Sequence, residues 1–203
     1  MPDPSEIAAI VLAAGGSSRF GSDKLLHPLT LQGVTLPLAA HSLLPWLESF
    51  EKITVVVRPG SEAFCREIEI ALGAKPASAI RWIVCEDASQ GMSASLVCGL
   101  RANCGSAGCL IGLADMPVVP ATAIGSVRNA LLRGAGLAAP FHEDRRGHPV
   151  GFASFCYDEL LSLKGDVGAR GLLEQNRSKV IRVEIHSKGI FADVDSQNDL
   201  QNL

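Results

Sequence analysis

The sequence predicts an α/β fold in three α/β/α layers, with a mostly parallel, mixed sheet covered by helices on both faces. Three observations carry that expectation. Short apolar runs rich in β-branched residues alternate with helix-length stretches along the 203 residues. The first run, Ile7–Leu12, is apolar throughout and stops at glycines, the pattern of a strand buried on both faces. Composition agrees: 47% hydrophobic but only 5% aromatic residues describe an interior built from Ala, Val, Ile and Leu.

The elements follow in order. After Ile7–Leu12 and its glycine-rich loop, a helix is expected over 36–50, with Pro45 kinking or splitting it because proline lacks the N–H and crowds the preceding turn. Ile53–Val57 is a second strand, stopped by Pro59-Gly60. Ser61 caps the next helix, over 61–72, and Glu62 favours its first turn. Ile80–Val84 is a third strand, and the loop 86–91 leads into a helix over 93–103. A fourth buried strand over 109–113 ends at Asp115-Met116-Pro117, before a helix over 121–132. Strands over 137–141 and 150–153 flank the polar loop 142–148. Short helices over 156–163 and 169–176, a strand over 180–185 and a terminal helix over 196–203, capped by Ser196, complete the chain. No repeat, low-complexity tract or linker interrupts it, so 1–203 reads as one domain large enough for a sizeable core.

Charge and cysteine usage narrow the function. A net charge of −3 without a basic tract disfavours nucleic acid as a partner. The acidic start, Met1 to Glu6, lacks the positive region of a signal peptide, and the first apolar run is too short to span a bilayer. Six cysteines (Cys65, Cys85, Cys98, Cys104, Cys109 and Cys156) form no CxxC pair and no zinc spacing, and most sit in apolar stretches. They read as small core residues of a cytoplasmic protein in a reducing compartment.

In parallel sheets ligands bind at the carboxyl ends of the strands, which selects the loops after Leu12, Val84 and Leu113. The first is Leu12-Ala13-Ala14-Gly15-Gly16-Ser17-Ser18-Arg19-Phe20-Gly21-Ser22-Asp23-Lys24. Gly15 and Gly16 let the backbone wrap a phosphate, Ser17 and Ser18 add hydroxyl donors, and Arg19 and Lys24 bring two cations suited to a triphosphate. The spacing is neither GxxxxGK[ST] nor GxGxxG, and an ordinary strand-to-helix turn is the rival reading. Asp115, directly after a buried strand, suits Mg²⁺, an oxygen-seeking ion that keeps substrate phosphates in its shell; a turn or N-cap aspartate is the alternative. Asp193-Val194-Asp195 puts two carboxylates on one face if extended, and one could complete that metal site; a solvated pair ahead of a helix is the alternative.

These motifs, in this order, resemble the MobA-like NTP transferase superfamily, and within it the molybdenum cofactor cytidylyltransferase branch. The loop from Leu12 to Lys24 resembles that branch's LAAG nucleotide loop. Gly91-Met92-Ser93-Ala94-Ser95-Leu96 with Gly99-Leu100 is similar to GMSxSLxxGL, and Leu113-Ala114-Asp115-Met116-Pro117 to LGDMP. Gly147-His148-Pro149 resembles GHP, Gly165-Asp166-Val167-Gly168-Ala169-Arg170 resembles GDxGAR, and Asp193 to Leu200 resembles DIDTPEDL. Phe20 for Met, Ala114 for Gly and Ser196-Gln197-Asn198 for Thr-Pro-Glu depart from the pattern without removing a charged group.

The resemblance implies a Rossmann-like fold of the nucleotide-diphospho-sugar transferase type, with a nucleotide-binding half over about 1–120 and an acceptor-binding half over about 121–203. It implies that Leu12, Ala13, Ala14, Gly15, Gly16 and Ser17 cradle the nucleotide, that Arg19 and Lys24 bind its triphosphate, and that Ser95 fixes the base. Asp115 and Asp195 would ligate Mg²⁺, and His148, Asp166 and Arg170 would face the acceptor. The implied reaction is Mg²⁺-dependent transfer of CMP from CTP, or of another NMP from its NTP, to molybdopterin, with a molybdoenzyme or its chaperone as a further partner. Transfer to a sugar phosphate, or non-catalytic carriage of a nucleotide or pterin, are the alternatives. No Ser/His/Asp set is expected, because nucleotidyl transfer needs positioning and charge stabilisation rather than a covalent nucleophile.

Overall fold

The computed structural model describes residues 6–15, 20, 23–166 and 168–203. Its strands are β1 (Ile7–Leu12), β2 (Pro28–Leu31), β3 (Val34–Pro37), β4 (Ile53–Val57), β5 (Ile80–Val84), β6 (Gly108–Leu113), β7 (Leu137–His142), β8 (Arg145–Arg146), β9 (Val150–Ala153) and β10 (Val180–Glu184). Its helices are α1 (Leu38–Ser49), α2 (Glu62–Leu72), α3 (Ala74–Ala77), α4 (Met92–Arg101), α5 (Ala121–Leu132), α6 (Tyr157–Leu161) and α7 (Arg170–Gln175). The main sheet runs β10-β7-β9-β6-β1-β4-β5, with β8 attached to β7. β1 pairs in parallel with β4 and β6, β4 with β5, and β7 with β10. β9 is antiparallel to both β6 and β7, which makes the sheet mixed.

Alternation along the central strands sorts the core into two layers. Val11, Val55 and Leu110 join Leu38, Leu43 and Trp46 of α1 and Ile124 and Val127 of α5 on one face. Their neighbours Ile10, Val56 and Ile111 join Leu96 and Leu100 of α4, Leu160 of α6 and Leu173 of α7 on the other. Gly99 makes the second layer tight: a Cβ there would lie 2.6 Å from Ile10 Cγ2 and 2.8 Å from Val56 Cγ2, so α4 rests directly on β1 and β4.

Most elements form where the sequence predicts them; α3 and β8 are additions to it, and others differ. Pro45 does not split α1, which runs unbroken from Leu38 to Ser49. One lost backbone bond is outweighed by the burial of Leu38, Ala39, Ala40, Leu43 and Trp46 on that helix. Its start moves from 36 to 38 because 28–37 form an unexpected hairpin of β2 and β3. Gln32 (φ 50°) and Gly33 (φ 80°) supply the left-handed pair that a two-residue turn needs, and the Thr30 and Thr35 hydroxyls bond across it at 2.7 Å. Ser61 makes no side-chain cap on α2. The terminal helix over 196–203 shrinks to a 3₁₀ turn, Asp199–Asn202. There Asp199 Oδ2 accepts from Asp195 N (3.0 Å), Ser196 N (2.6 Å) and Ser196 Oγ (2.9 Å), closing a turn where the sequence suggested a cap by Ser196. All six cysteines are free; Cys85, Cys109 and Cys156 are buried, Cys65 and Cys98 half-buried and Cys104 exposed. Among the described residues no helix is long and apolar enough to cross a membrane.

Candidate active site

The site is assembled where β1 and β6 end side by side. Leu12 faces Leu113 in register. One residue further the chains are still tied, because Ala114 N donates to Leu12 O (3.0 Å) and Ala13 N to Val56 O (2.8 Å). Ala13 and Ala14 are buried and Gly15 is exposed. Of the predicted loop residues, Gly16, Ser17 and Arg19 lie outside the described residues. The chain is described again at Asp23, whose Oδ1 accepts from Leu25 N at 3.2 Å and opens a single 3₁₀ turn, Lys24–Leu26. Leu25 is buried there, and Asp23 Oδ2 also lies 3.5 Å from Arg58. These contacts hold the backbone of Lys24 at the sheet edge.

From that turn Lys24 Nζ reaches three oxygens from distant parts of the chain: Asp115 Oδ2 at 2.8 Å, Asp195 Oδ1 at 3.2 Å and the Val194 carbonyl at 2.6 Å. Asp115 stands just beyond β6. Its carbonyl accepts from Val194 N at 3.0 Å, and fully buried Val194 thereby pins the C-terminal segment to the end of β6. That link brings Asp195, rather than Asp193, to Lys24. Burial pulls the Lys24 pKa down, but Asp115 and Asp195 outweigh it and hold the ammonium above its ordinary value.

The donor set fits a hard divalent cation. Asp115 Oδ1 is buried and has no hydrogen-bond partner among the described residues, an expensive arrangement unless another group uses that oxygen. Among the described residues no three His, Cys, Asp or Glu side chains gather into a metal cage. Two carboxylates alone suit Mg²⁺, which takes one or two protein oxygens and fills its shell with water and phosphate.

The expected acceptor residues each make a separate contact. His148 donates its backbone N–H to Ile190 O (2.9 Å), while its ring Nδ1 is buried without a partner among the described residues. Burial pushes the imidazole pKa down, against the opposing pull of Asp115, so the ring is neutral at pH 7. Arg170 lies on the surface, where Nε meets Glu174 Oε1 at 2.7 Å. Asp166 reaches the other way: its Oδ1 accepts from Met92 N, the first residue of α4, at 3.3 Å. Ser95 is buried in the first turn of α4.

Sequence reasoning missed two contributors. Asp23 precedes Lys24 in the position of an N-cap, so its role was readable from residue type alone. The Val194 carbonyl carries no side-chain signal, and only the fold could reveal it.

Comparison with known proteins agrees with this architecture. The profile of the MobA-like NTP transferase domain matches residues 9–180. The purine catabolism protein PucB of Bacillus subtilis (strain 168) is 29% identical over 198 residues, which cover 95% of this chain and 93% of PucB. Among solved structures, the Mycobacterium sp. strain JC1 homologue of Mycobacterium tuberculosis rv0371c superposes with a TM-score of 0.81 at 26% identity, covering 98% of this chain and 94% of that one. The manganese complex of Rv0371c from Mycobacterium tuberculosis H37Rv has the same fold, with a TM-score of 0.75 at 23% identity over 97% of this chain and 96% of that one.

Proposed function

Because the chain belongs to the MobA-like NTP transferase family of nucleotidyltransferases, we propose that it transfers CMP from CTP to the phosphate of molybdopterin or molybdenum cofactor, releasing pyrophosphate. The family binds nucleoside triphosphates and phosphorylated acceptors, and commonly uses divalent metals. The observation that carries the reading is the convergence of Lys24, Asp115 and Asp195 at the carboxyl ends of β1 and β6. CTP and molybdopterin themselves rest on the motif resemblance, from the LAAG loop to the GHP and GDxGAR elements.

The reaction forms a bond from an acceptor phosphate oxygen to the α-phosphorus and breaks the α–β bridging bond. The acceptor phosphate is already ionised near pH 7, so no general base is required. Asp115 and Asp195 would hold Mg²⁺, which when bound neutralises phosphate charge and orients the triphosphate. Lys24, with a flexible stem and an ammonium held charged, offsets charge on the α-phosphate and on the departing pyrophosphate. Ala13, Ala14 and Gly15 offer backbone to the nucleotide at the end of β1, together with Gly16 and Ser17, and Arg19 joins Lys24 in binding the triphosphate. His148 and Arg170 serve the acceptor, as does Asp166 in the motif-based reading.

A pyrophosphate-release assay tests this directly. CTP, GTP, ATP and UTP are each supplied with molybdopterin, with a sugar phosphate, or with no acceptor, in the presence of Mg²⁺. CTP with molybdopterin is expected to turn over fastest, and chelation by EDTA to stop the reaction. Asp115→Asn is expected to cost roughly 10²–10³ in kcat, the scale of losing one preorganised charge contact, while the far-ultraviolet circular dichroism spectrum stays that of the parent. An unaltered rate in Asp115→Asn sinks the metal assignment, and preference for a sugar phosphate sinks the acceptor assignment.

A further inference from the structure

The N-terminus of α4 is held by a segment far away in the chain. α4 leaves the carboxyl edge of the sheet after β5, and its buried Leu96 packs in one cluster with Leu12, the last residue of β1. Its first turn therefore starts at the same edge of the sheet as the end of β1. A helix start has backbone N–H groups without partners inside the helix. Gly91, the residue before the helix, has no side chain to satisfy them and makes no cap. The partners come from Gly165 and Asp166 instead. Asp166 Oδ1 accepts from Met92 N at 3.3 Å across 74 positions of sequence, and the Gly165 carbonyl accepts from Ser93 N at 3.0 Å. In return the Ser93 hydroxyl, fully buried, accepts from Gly168 N at 3.2 Å. Gly91 sits at φ 114°, and a Cβ there would meet Asp166 Oδ1 and lie 2.8 Å from the Gly165 carbonyl. Two of the six motifs, GMSxSLxxGL and GDxGAR, are thus one physical unit.

We infer that Asp166 is a positioning residue for the nucleotide, clamping the first turn of α4 that carries Ser95. This rests on the nucleotidyltransferase reading above, and it reassigns the Asp166 carboxylate from the acceptor to α4. The helix start it secures carries buried Ser95, the residue that the motif resemblance assigns to the base. A hydrogen bond to Met92 N requires only an oxygen acceptor, whereas an ionic contact with an acceptor molecule requires the charge. That difference separates the two roles.

The test uses the full chain with Asp166→Ala, Asp166→Asn and Ser93→Ala. In Asp166→Ala the KM for CTP is expected to rise about five- to tenfold, the worth of a lost helix cap, with the acceptor KM unchanged. Amide exchange at Met92 and Ser93, followed by NMR without any ligand, should accelerate by a similar factor. Asp166→Asn keeps an oxygen for Met92 N and should return both readouts to within about twofold of the parent. Ser93→Ala, which removes only the bond from Gly168, should move the CTP KM the same way and decides the matter if Asp166→Ala does not fold. A rise in the acceptor KM alone, or unchanged exchange at Met92 in Asp166→Ala, overturns the inference. A parent protein that turns over no nucleotide overturns the functional reading instead, and the exchange measurement still decides the clamp.

Discussion

Replacing Lys24 by Met keeps the length of the side chain and removes its charge, and with it the bonds to Asp115 Oδ2, Asp195 Oδ1 and the Val194 carbonyl. Removing one partner of a fully buried pair costs roughly 3–5 kcal/mol, while exposed pairs are worth about 0–1 kcal/mol. The Lys24 and Asp115 side chains are 11% and 23% exposed, but Asp195 is 48% exposed and its share is screened by water. The expected loss is therefore about 1–2 kcal/mol, or roughly 2–8 °C in Tm for a chain of this size. Mn²⁺ should reverse it. With Lys24 present, an ammonium already occupies the carboxylate oxygens; with Met, a divalent ion restores the missing charge, and at about 100 times its Kd contributes about 2.7 kcal/mol. Differential scanning fluorimetry of both proteins over an Mn²⁺ titration reads this directly, and Mn²⁺ should raise the Tm of Lys24→Met more than that of the parent. The sign with pH follows from the raised Lys24 pKa: its stabilisation is complete below the ordinary lysine value of 10.5 and fades only as pH climbs through the higher folded value. The metal-free difference should hence be constant between about pH 6 and 9. Equal melting of the two proteins, or an equal Mn²⁺ effect on both, would refute the reasoning.

Two further expectations concern packing and thiol access. Gly99→Ala gains roughly 0.5–1 kcal/mol of helix propensity, but drives a methyl into the stiff branches of Ile10 and Val56 at a cost of roughly 1–3 kcal/mol, so it should lower the Tm. Gly125→Ala in α5 meets nothing within 4 Å and should raise the Tm instead; the same sign for both would show that propensity, not contact, governs these helices. Native protein treated with a thiol reagent near pH 8 should show one fast-reacting cysteine, the exposed Cys104. Burial pushes the thiols of Cys65 and Cys98 up to about 11 and that of Cys109 to about 12, so these should react on unfolding, and a second fast thiol would contradict the packing.

The layered α/β fold was legible because strands buried on both faces, such as Ile53–Val57, have no polar position to be mistaken for loop. The site candidates were legible through one rule, that chemistry collects at the carboxyl ends of parallel strands, which selected the neighbourhoods of Lys24 and Asp115. The hairpin of β2 and β3 was not, since Gln32-Gly33 lacks the Asn-Gly or Asp-Gly signature of its turn. Nor was the survival of α1 through Pro45, because a local rule cannot weigh the surface that a helix buries.

The sequence by itself determined which groups are present and in what order: the glycine loop with its cations, one aspartate after β6, two more near the C-terminus. Tertiary structure decided which of them meet. Val194 N on the Asp115 carbonyl brings Asp195 to Lys24, and Asp166 turns towards α4, while Arg170 pairs with Glu174 at the surface. The first of these choices is made by a backbone hydrogen bond between segments remote in sequence. Every residue carries the same N–H and C=O, so the pairing leaves no trace in residue type and exists only once the sheet has placed its strands.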